Sequence, residues 1–399
     1  MSQSFFSFSR KAVAHVLLGG FFVVTVVTPA APVNKLLFVA LTLWLVADLL
    51  FAPSKKIGLT APPVAIFSIF LYGFCLSQLN HANSGLAVQL LLSVLILFQI
   101  SFIRNYQIDV ERLIRVASNA MVLATVLLWC ATFIPEMPMA SLILDFMRTY
   151  SLSAFSEREF FEDATISLHL GTAPILLIGF SIIAKSYAKN RKLADLLMAV
   201  ATAMAILLSA SRGVIAGSGI VLVVIILLYS PRKLRLALVT MLGVFLVYVV
   251  HGLLFSSSLF SADEASNAGK IGHIKSFFEQ LTLPSLIFGR GLANWYYSSG
   301  ADAMKAETEV SPMDMVRYFG VLLTILLYYF IVFPVRRRAN YLGESFIDFV
   351  IFMVYLLLSF TNPIMFNSMG MIVILWYWSR IYSSRGKSMP PVNERLAKS

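Results

Sequence analysis

Charge is scarce in this sequence. Only 13% of its 399 residues are Asp, Glu, Lys or Arg, roughly half the share of an average soluble domain. Cysteine is scarcer still: Cys75 and Cys130 both lie inside apolar runs, which leaves no disulfide framework and no thiolate metal site. His15, His81, His169 and His251 stand apart from one another, and no pair has metal-ligand spacing. The formal charge of +11 comes from short clusters between apolar segments. Without a basic block interleaved with aromatics, nucleic acid is excluded as a partner.

What is abundant is hydrophobicity, 59% of the residues with a mean hydropathy of +0.82. This composition predicts an integral membrane protein, a single all-α domain over 1–399 whose first partner is the lipid bilayer. Twelve segments are expected to cross as helices, centred near residues 20, 44, 68, 93, 123, 175, 201, 221, 245, 323, 354 and 373. The first is not expected to be a cleavable signal, because "PAAPVNKLL" leads directly into the second. No soluble domain and no internal repeat is apparent.

Short loops rich in Lys and Arg mark the cytoplasmic side. Arg10 and Lys11, Lys55 and Lys56, Arg104 and Arg112, Lys185 with "KNRK", "PRKLR", "RRR" and the tail from Arg380 all fall on one side of the expected spans. Both termini are therefore expected in the cytoplasm. Two long segments fall outside, 135–165 with the acidic "SEREFFED", and the larger 255–312. Connections this long commonly carry function.

"LLSASRGVIAG" places Arg212 at an outer turn between two apolar runs. It reads either as an interfacial anchor or as an anion-binding group at a helix start, where a planar guanidinium suits phosphate. In "LIFGRGLANWYYSSG" two glycines flank Arg290, followed by Trp295, Tyr296 and Tyr297. This stretch fits a phosphate and sugar site as well as an interfacial aromatic belt. "AETEVSPMDMVRYFG" gathers Glu307, Glu309, Asp314 and Arg317 where the chain re-enters the membrane. Asp314 and Arg317, spaced i, i+3, are expected to pair or to complement the helix start. Glu309 or Glu307 could serve as a base in a sheltered site. His273, accompanied by Lys270 and Lys275, is a possible hydrogen-bond donor to phosphate.

"LLSASRG", "IFGRGLANWY" and "ETEVSPMDMVRYFG", in this order and topology, resemble the bacterial superfamily of O-antigen polymerases and O-antigen ligases. The resemblance implies a metal-independent, cofactor-free glycosyltransferase with a C-type membrane fold in the bacterial inner membrane. It would act on undecaprenyl-diphosphate-linked oligosaccharides at the periplasmic face, with a flippase and a chain-length regulator as partners. Arg212 matches the arginine of the helix-junction motif and Arg290 the turn of the loop. Arg212, Glu309 and Glu307 would be catalytic, while Arg290, His273, Lys275, Arg317, Trp295, Tyr296 and Asp314 would bind substrate. Ligases carry a histidine eleven residues before a glycine in the re-entering helix; counting back from Gly320 gives Glu309, which favours the polymerase branch. A ligase and a transporter of lipid-linked sugars are the alternatives. The transporter would call for ionisable residues at the bilayer midplane, and here the charges cluster outside.

Overall fold

The computed structural model describes residues 2–29, 31–51, 60–134, 139–149, 154–158, 165–169, 171–209, 211–229, 240, 265–308, 310–335, 341, 344–360 and 363–383. The helices in chain order are α1 (Ser2–Val27), α2 (Pro32–Phe51), α3 (Ala61–Leu79), α4 (Ser84–Val94), α5 (Gln99–Tyr106), α6 (Val110–Phe133), α7 (Ala140–Thr149), α8 (Pro174–Asn190), α9 (Leu193–Leu208) and α10 (Arg212–Tyr229). After residues outside the description follow α11 (Ala265–Glu279), α12 (Leu283–Phe288), α13 (Ser311–Val332), α14 (Glu344–Ser359) and α15 (Ser368–Ser383). Two small antiparallel hairpins interrupt the helices: β1 (Ala154–Arg158) with β2 (Thr165–His169), and β3 (Tyr296–Ser298) with β4 (Ala303–Lys305).

The all-α membrane architecture is as expected, but the span count is not. Among the described residues six helical stretches are long and apolar enough to cross a membrane: Arg10–Val27, Ala61–Leu79, Ser84–Tyr106, Val110–Thr132, Arg212–Tyr229 and Ser311–Val332. The centre near 245 lies outside the described residues. The other expected centres do lie in helices; α2, with 20 residues, is not among the six, and for α8, α9, α14 and α15, of 17, 16, 16 and 16 residues, the shortfall is one of length. Leu193–Leu208 and Ser345–Ser359 are shorter apolar helices; at 1.5 Å per residue, 16 residues of α9 reach only about 24 Å, less than a hydrocarbon core of about 30 Å. An apolar run in sequence therefore overstates the number of crossings.

α15 shows what else an apolar run can mean. Met369 to Ser379 are buried without interruption, because the helix runs through the centre of the bundle against α1, α4, α5, α6, α8 and α14. A helix apolar on every face belongs in such a core. Its aromatic tips close the end of α13: Tyr377 Oη donates to Val332 O at 2.7 Å and Trp378 Nε1 to Ile331 O at 2.9 Å, satisfying carbonyls that a helix end leaves open. Small residues set the closest approaches. A Cβ on Gly179 of α8 would overlap the Ser118 side chain of α6, so any larger residue there pushes the two helices apart.

Among the described residues the ion pairs between different helices gather at one end of the bundle. Asp48 of α2 meets Arg10 of α1 at 3.8 Å and accepts from Tyr106 of α5 at 2.6 Å. Arg104 lies over the Tyr382 ring, 4.8 Å from its centroid. Lys185 of α8 contacts Glu111 of α6 at 2.7 Å and Asp348 of α14 at 2.6 Å, and Arg380 of α15 closes the ring through Asp348 at 2.8 Å and Glu111 at 3.2 Å. The 265–308 segment packs on the opposite end, beside the C-terminus of α3 and the N-terminus of α13.

Candidate functional site

The site is organised by a break in α13. Gly320 has φ +77 inside an otherwise helical run, a conformation glycine adopts without the steric cost an L side chain meets. The interruption frees the carbonyls of Arg317 and Tyr318 from their helical donors. The loop supplies replacements: Arg290 N donates to Arg317 O at 2.7 Å and Gly291 N to Tyr318 O at 3.0 Å. This contact needs bare backbone. A Cβ on Gly289 (φ +76) would collide with Tyr318 O, and one on Gly291 (φ +92) with the backbone of Ser77. The glycines flanking Arg290 thus serve a backbone-to-backbone join in which α3, the loop and α13 meet.

The expected pair of Asp314 and Arg317 forms, at 2.9 Å, with both side chains almost fully buried. It does more than complement a helix start. Arg317 Nη1 donates to Asn294 O at 2.7 Å, Nη2 donates to Ala306 O at 2.7 Å, and its guanidinium lies 4.2 Å from the centroid of the buried Tyr296 ring. Asp314 accepts from Thr308 N at 2.7 Å, and Thr308 Oγ1 in turn accepts from Val310 N at 3.2 Å. A planar fork of donors suits several carbonyls at once, so this pair clamps 294–310 onto the mouth of α13. Arg317 faces protein carbonyls, which gives it a holding role where a phosphate contact was expected.

Glu307 sits over this buried pair. The carboxyl is accessible by area, yet the protein around it desolvates its charged form and Asp314 repels it, so that it is pushed up to about 7 against the partial relief of Arg317. Glu309 lies outside the described residues; of its neighbours, Thr308 donates its N–H to Asp314 and Val310 donates its N–H to Thr308 Oγ1.

His273 of α11 is buried and hydrogen-bonded through Nδ1 to Ser298 Oγ, with Tyr296 Oη at 3.4 Å from the same nitrogen. Ser276 reinforces the join, accepting from Ser299 N at 2.8 Å, and a Cβ on Gly272 would overlap Gly300. His273 therefore holds the β3–β4 hairpin against α11. Lys275 points outward, its side chain 70% exposed and 3.9 Å from Glu279. Trp295 is also exposed, while Tyr296 is buried.

Arg290 is half-buried and borders open space. One nitrogen donates to Gln280 O at 2.7 Å, and among the described residues no carboxylate comes within ion-pair distance of it. It borders a cleft of about 410 Å³ with Asn80, Thr282, Ser285, Phe288 and Asn294, and a smaller space shared with Gln280, Tyr296 and Arg317. Asn80, Thr282, Ser285 and Asn294 went unnoticed in the sequence. The one local signal was "TLPS", which builds a capping box between Thr282 and Ser285 at the start of α12.

The structure thus brings Arg290, Tyr296, Glu307, Asp314, Arg317 and, through the hairpin, His273 into one cluster. Arg212 is presented from elsewhere on the scaffold, opening α10, which packs on α8, α9 and α14 with Gly213 against Leu358. Among the described residues no group of three or more His, Cys, Asp or Glu could hold a metal ion. The chain matches no known protein-family model and no curated protein. The cluster can do two kinds of chemistry: hold an anion at a guanidinium, and move a proton at a carboxyl poised near neutrality.

Proposed function

We propose that this chain is a bacterial inner-membrane glycosyltransferase of the C type that joins undecaprenyl-diphosphate-linked oligosaccharide repeat units at the periplasmic face, with both termini in the cytoplasm. The observation that carries the reading is the Asp314–Arg317 clamp: it holds Ala306 and Thr308, the residues on either side of Glu307, whose carboxyl is pushed up to about 7, and it holds the carbonyl of Asn294, which borders the cleft with Arg290. In the reaction a sugar hydroxyl of the acceptor attacks the anomeric carbon of the donor, and the bond from that carbon to the diphosphate oxygen breaks. The hydroxyl proton passes to Glu307 or Glu309. The diphosphate leaves with the bonding electron pair, its charge met by Arg290, which is stabilisation of developing charge by a fixed cation; Arg212, which opens α10 apart from this cluster, is the second cation of the reading and is tested directly. The placement of Arg10, Arg104, Lys185 and Arg380 at the end opposite the cleft supports the assigned orientation. A flippase that delivers the donor and a regulator of chain length complete the pathway.

The test is a gel of surface polysaccharide from a deletion strain carrying either the wild-type gene or its Arg212→Ala form. The expected result is a ladder with the wild type, and with Arg212→Ala a single attached repeat unit despite normal protein in the membrane. A normal ladder from the variant would remove Arg212 from the mechanism. Loss of all attached units with accumulation of lipid-linked polymer would mean transfer to a final acceptor, the ligase reaction.

A further inference from the structure

The level of α12 in the membrane can be read from its neighbours. α3 has 19 residues, about 28 Å at the helical rise, barely enough to cross a hydrocarbon core of about 30 Å. Residues well before Leu79 are therefore inside that core. The end of α12 and the turn after it run beside them: Tyr72 Oη donates to Phe288 O at 2.9 Å, Leu292 N to Gly73 O at 3.0 Å, and Ser77 Oγ to Leu292 O at 2.6 Å. Gly73 lies almost two turns before Leu79, about 9 Å along the axis. On its other side α12 meets the break in α13, where the carbonyl of Ile287 abuts Gly320.

Irregular backbone at such depth is tolerated only where protein covers its polar groups or a cavity hydrates them. The peptide N–H groups of 290, 291 and 292 are covered, by Arg317 O, Tyr318 O and Gly73 O. The side chains of α12 are not: Leu283 is 70%, Ile287 49% and Phe288 61% exposed. In water three large apolar side chains on a six-residue helix would be unfavourable, whereas hydrocarbon accommodates them.

We propose that α12 is a re-entrant element whose apolar side lies in the hydrocarbon of the bilayer. The Arg290 cleft, bordered by Phe288 and Pro284 of this helix, then opens at the lipid, and whatever reaches Arg290 does so along the membrane surface. A guanidinium at this level needs polar company; Gln280 O provides part of it, and the cleft holds Asn80 and Asn294 beside it. The inference goes beyond the proposed reaction and requires only that α3 crosses the membrane.

The test places single cysteines at Leu283, Ile287 and Phe288 in a Cys75→Ser, Cys130→Ser background, labels each with an environment-sensitive fluorophore, and reconstitutes the full chain in phosphatidylcholine vesicles. The exposed Lys305, changed to cysteine, is the water-facing reference. Re-entry is expected to give strong quenching by nitroxide-bearing phospholipid and shielding from aqueous iodide at the three α12 positions relative to position 305. Iodide quenching as strong as at 305, with no lipid quenching, would overturn the proposal. Where one substitution prevents folding, the other two positions decide. No sugar transfer is read, so loss of the enzymatic reading would leave this result standing.

Discussion

The two ends of the bundle both bury charge, and they use it differently. At one end Lys185, Arg380, Glu111 and Asp348 form a ring of two cations and two carboxylates drawn from four helices, with every contact between side chains. At the other, a single pair, Asp314 and Arg317, directs much of its hydrogen-bonding capacity to backbone of the loop. The first arrangement pairs its charges with one another and joins rigid elements, although Glu111 and Arg380 also border a cleft of about 550 Å³ with Arg104 and Asp109. The second leaves Glu307 pushed up to about 7 and Arg290 beside open space. Unbalanced charge next to a cleft is the mark of a site, and balanced charge between helices is the mark of a fastening.

The sharpest way to break this contrast is to remove one member of the closed ring. Asp348 is fully buried and meets both cations. Asp348→Ala leaves Lys185 and Arg380 facing each other across the lost carboxylate, and removing one partner of a buried pair costs about 3–5 kcal/mol. Thermal unfolding in detergent should show a large loss of stability, with protein depleted from the membrane. A stable variant would mean the ring is not a fastening.

At the open end the corresponding change is Arg317→Lys. An ammonium keeps the charge beside Asp314 but cannot hold Asn294 O and Ala306 O with one planar group. Stability should fall by about 2–3 kcal/mol, the scale of losing hydrogen bonds made by a charged group, and the larger consequence should be functional. With 294–310 released, protease should cut that segment faster and product formation should fall even in protein that remains folded. Unchanged protease resistance would deny the clamp.

How much of this was open to reading from sequence depends on how far apart the partners lie. Asp314 and Arg317 are one helical turn apart, and their pairing follows from spacing alone. The irregularity at Gly289, Gly291 and Gly320 was half legible: glycines pointed to an unusual turn, but the turn serves contacts with Ser77 and Tyr318, and no local pattern places α3 beside residue 291. Lys185 and Arg380 read as topology signals, and nothing in the sequence singles out Glu111 and Asp348, because their ring exists only after four helices pack. The apolar runs were legible as helices and misleading as crossings, since α15 is apolar for burial within protein and α9 is too short.

The next effect in size sharpens the claim that the open end is a site. Glu307 holds its proton in the folded chain up to about pH 7, against an ordinary value of 4.5. Between those values the folded state binds a proton the unfolded state has released, so this group's contribution to stability declines as pH rises from about 4.5 to 7. Activity should run the other way. If Glu307 takes the hydroxyl proton, the rate should fall about tenfold per pH unit below 7, and Glu307→Gln should be slow at every pH without that slope. A wild-type rate flat from pH 5 to 8 would transfer the role of base to Glu309.

The smallest effect expected is at Lys275, and its smallness is informative. Sequence alone grouped it with His273 as a phosphate-binding residue, yet the two point in opposite senses: His273 is buried against Ser298, and Lys275 is 70% exposed beside Glu279. The order Lys then Glu at i, i+4 is the weaker orientation on a helix, and exposed pairs of this kind contribute little. Lys275→Ala should therefore change stability by less than about 0.5 kcal/mol and leave polymer length as in the wild type, whereas Arg290→Ala, within the cluster, should shorten or abolish the ladder. Equal loss in both variants would mean that the field of the whole loop attracts the substrate, and that the cleft around Arg290 has no special part in holding it.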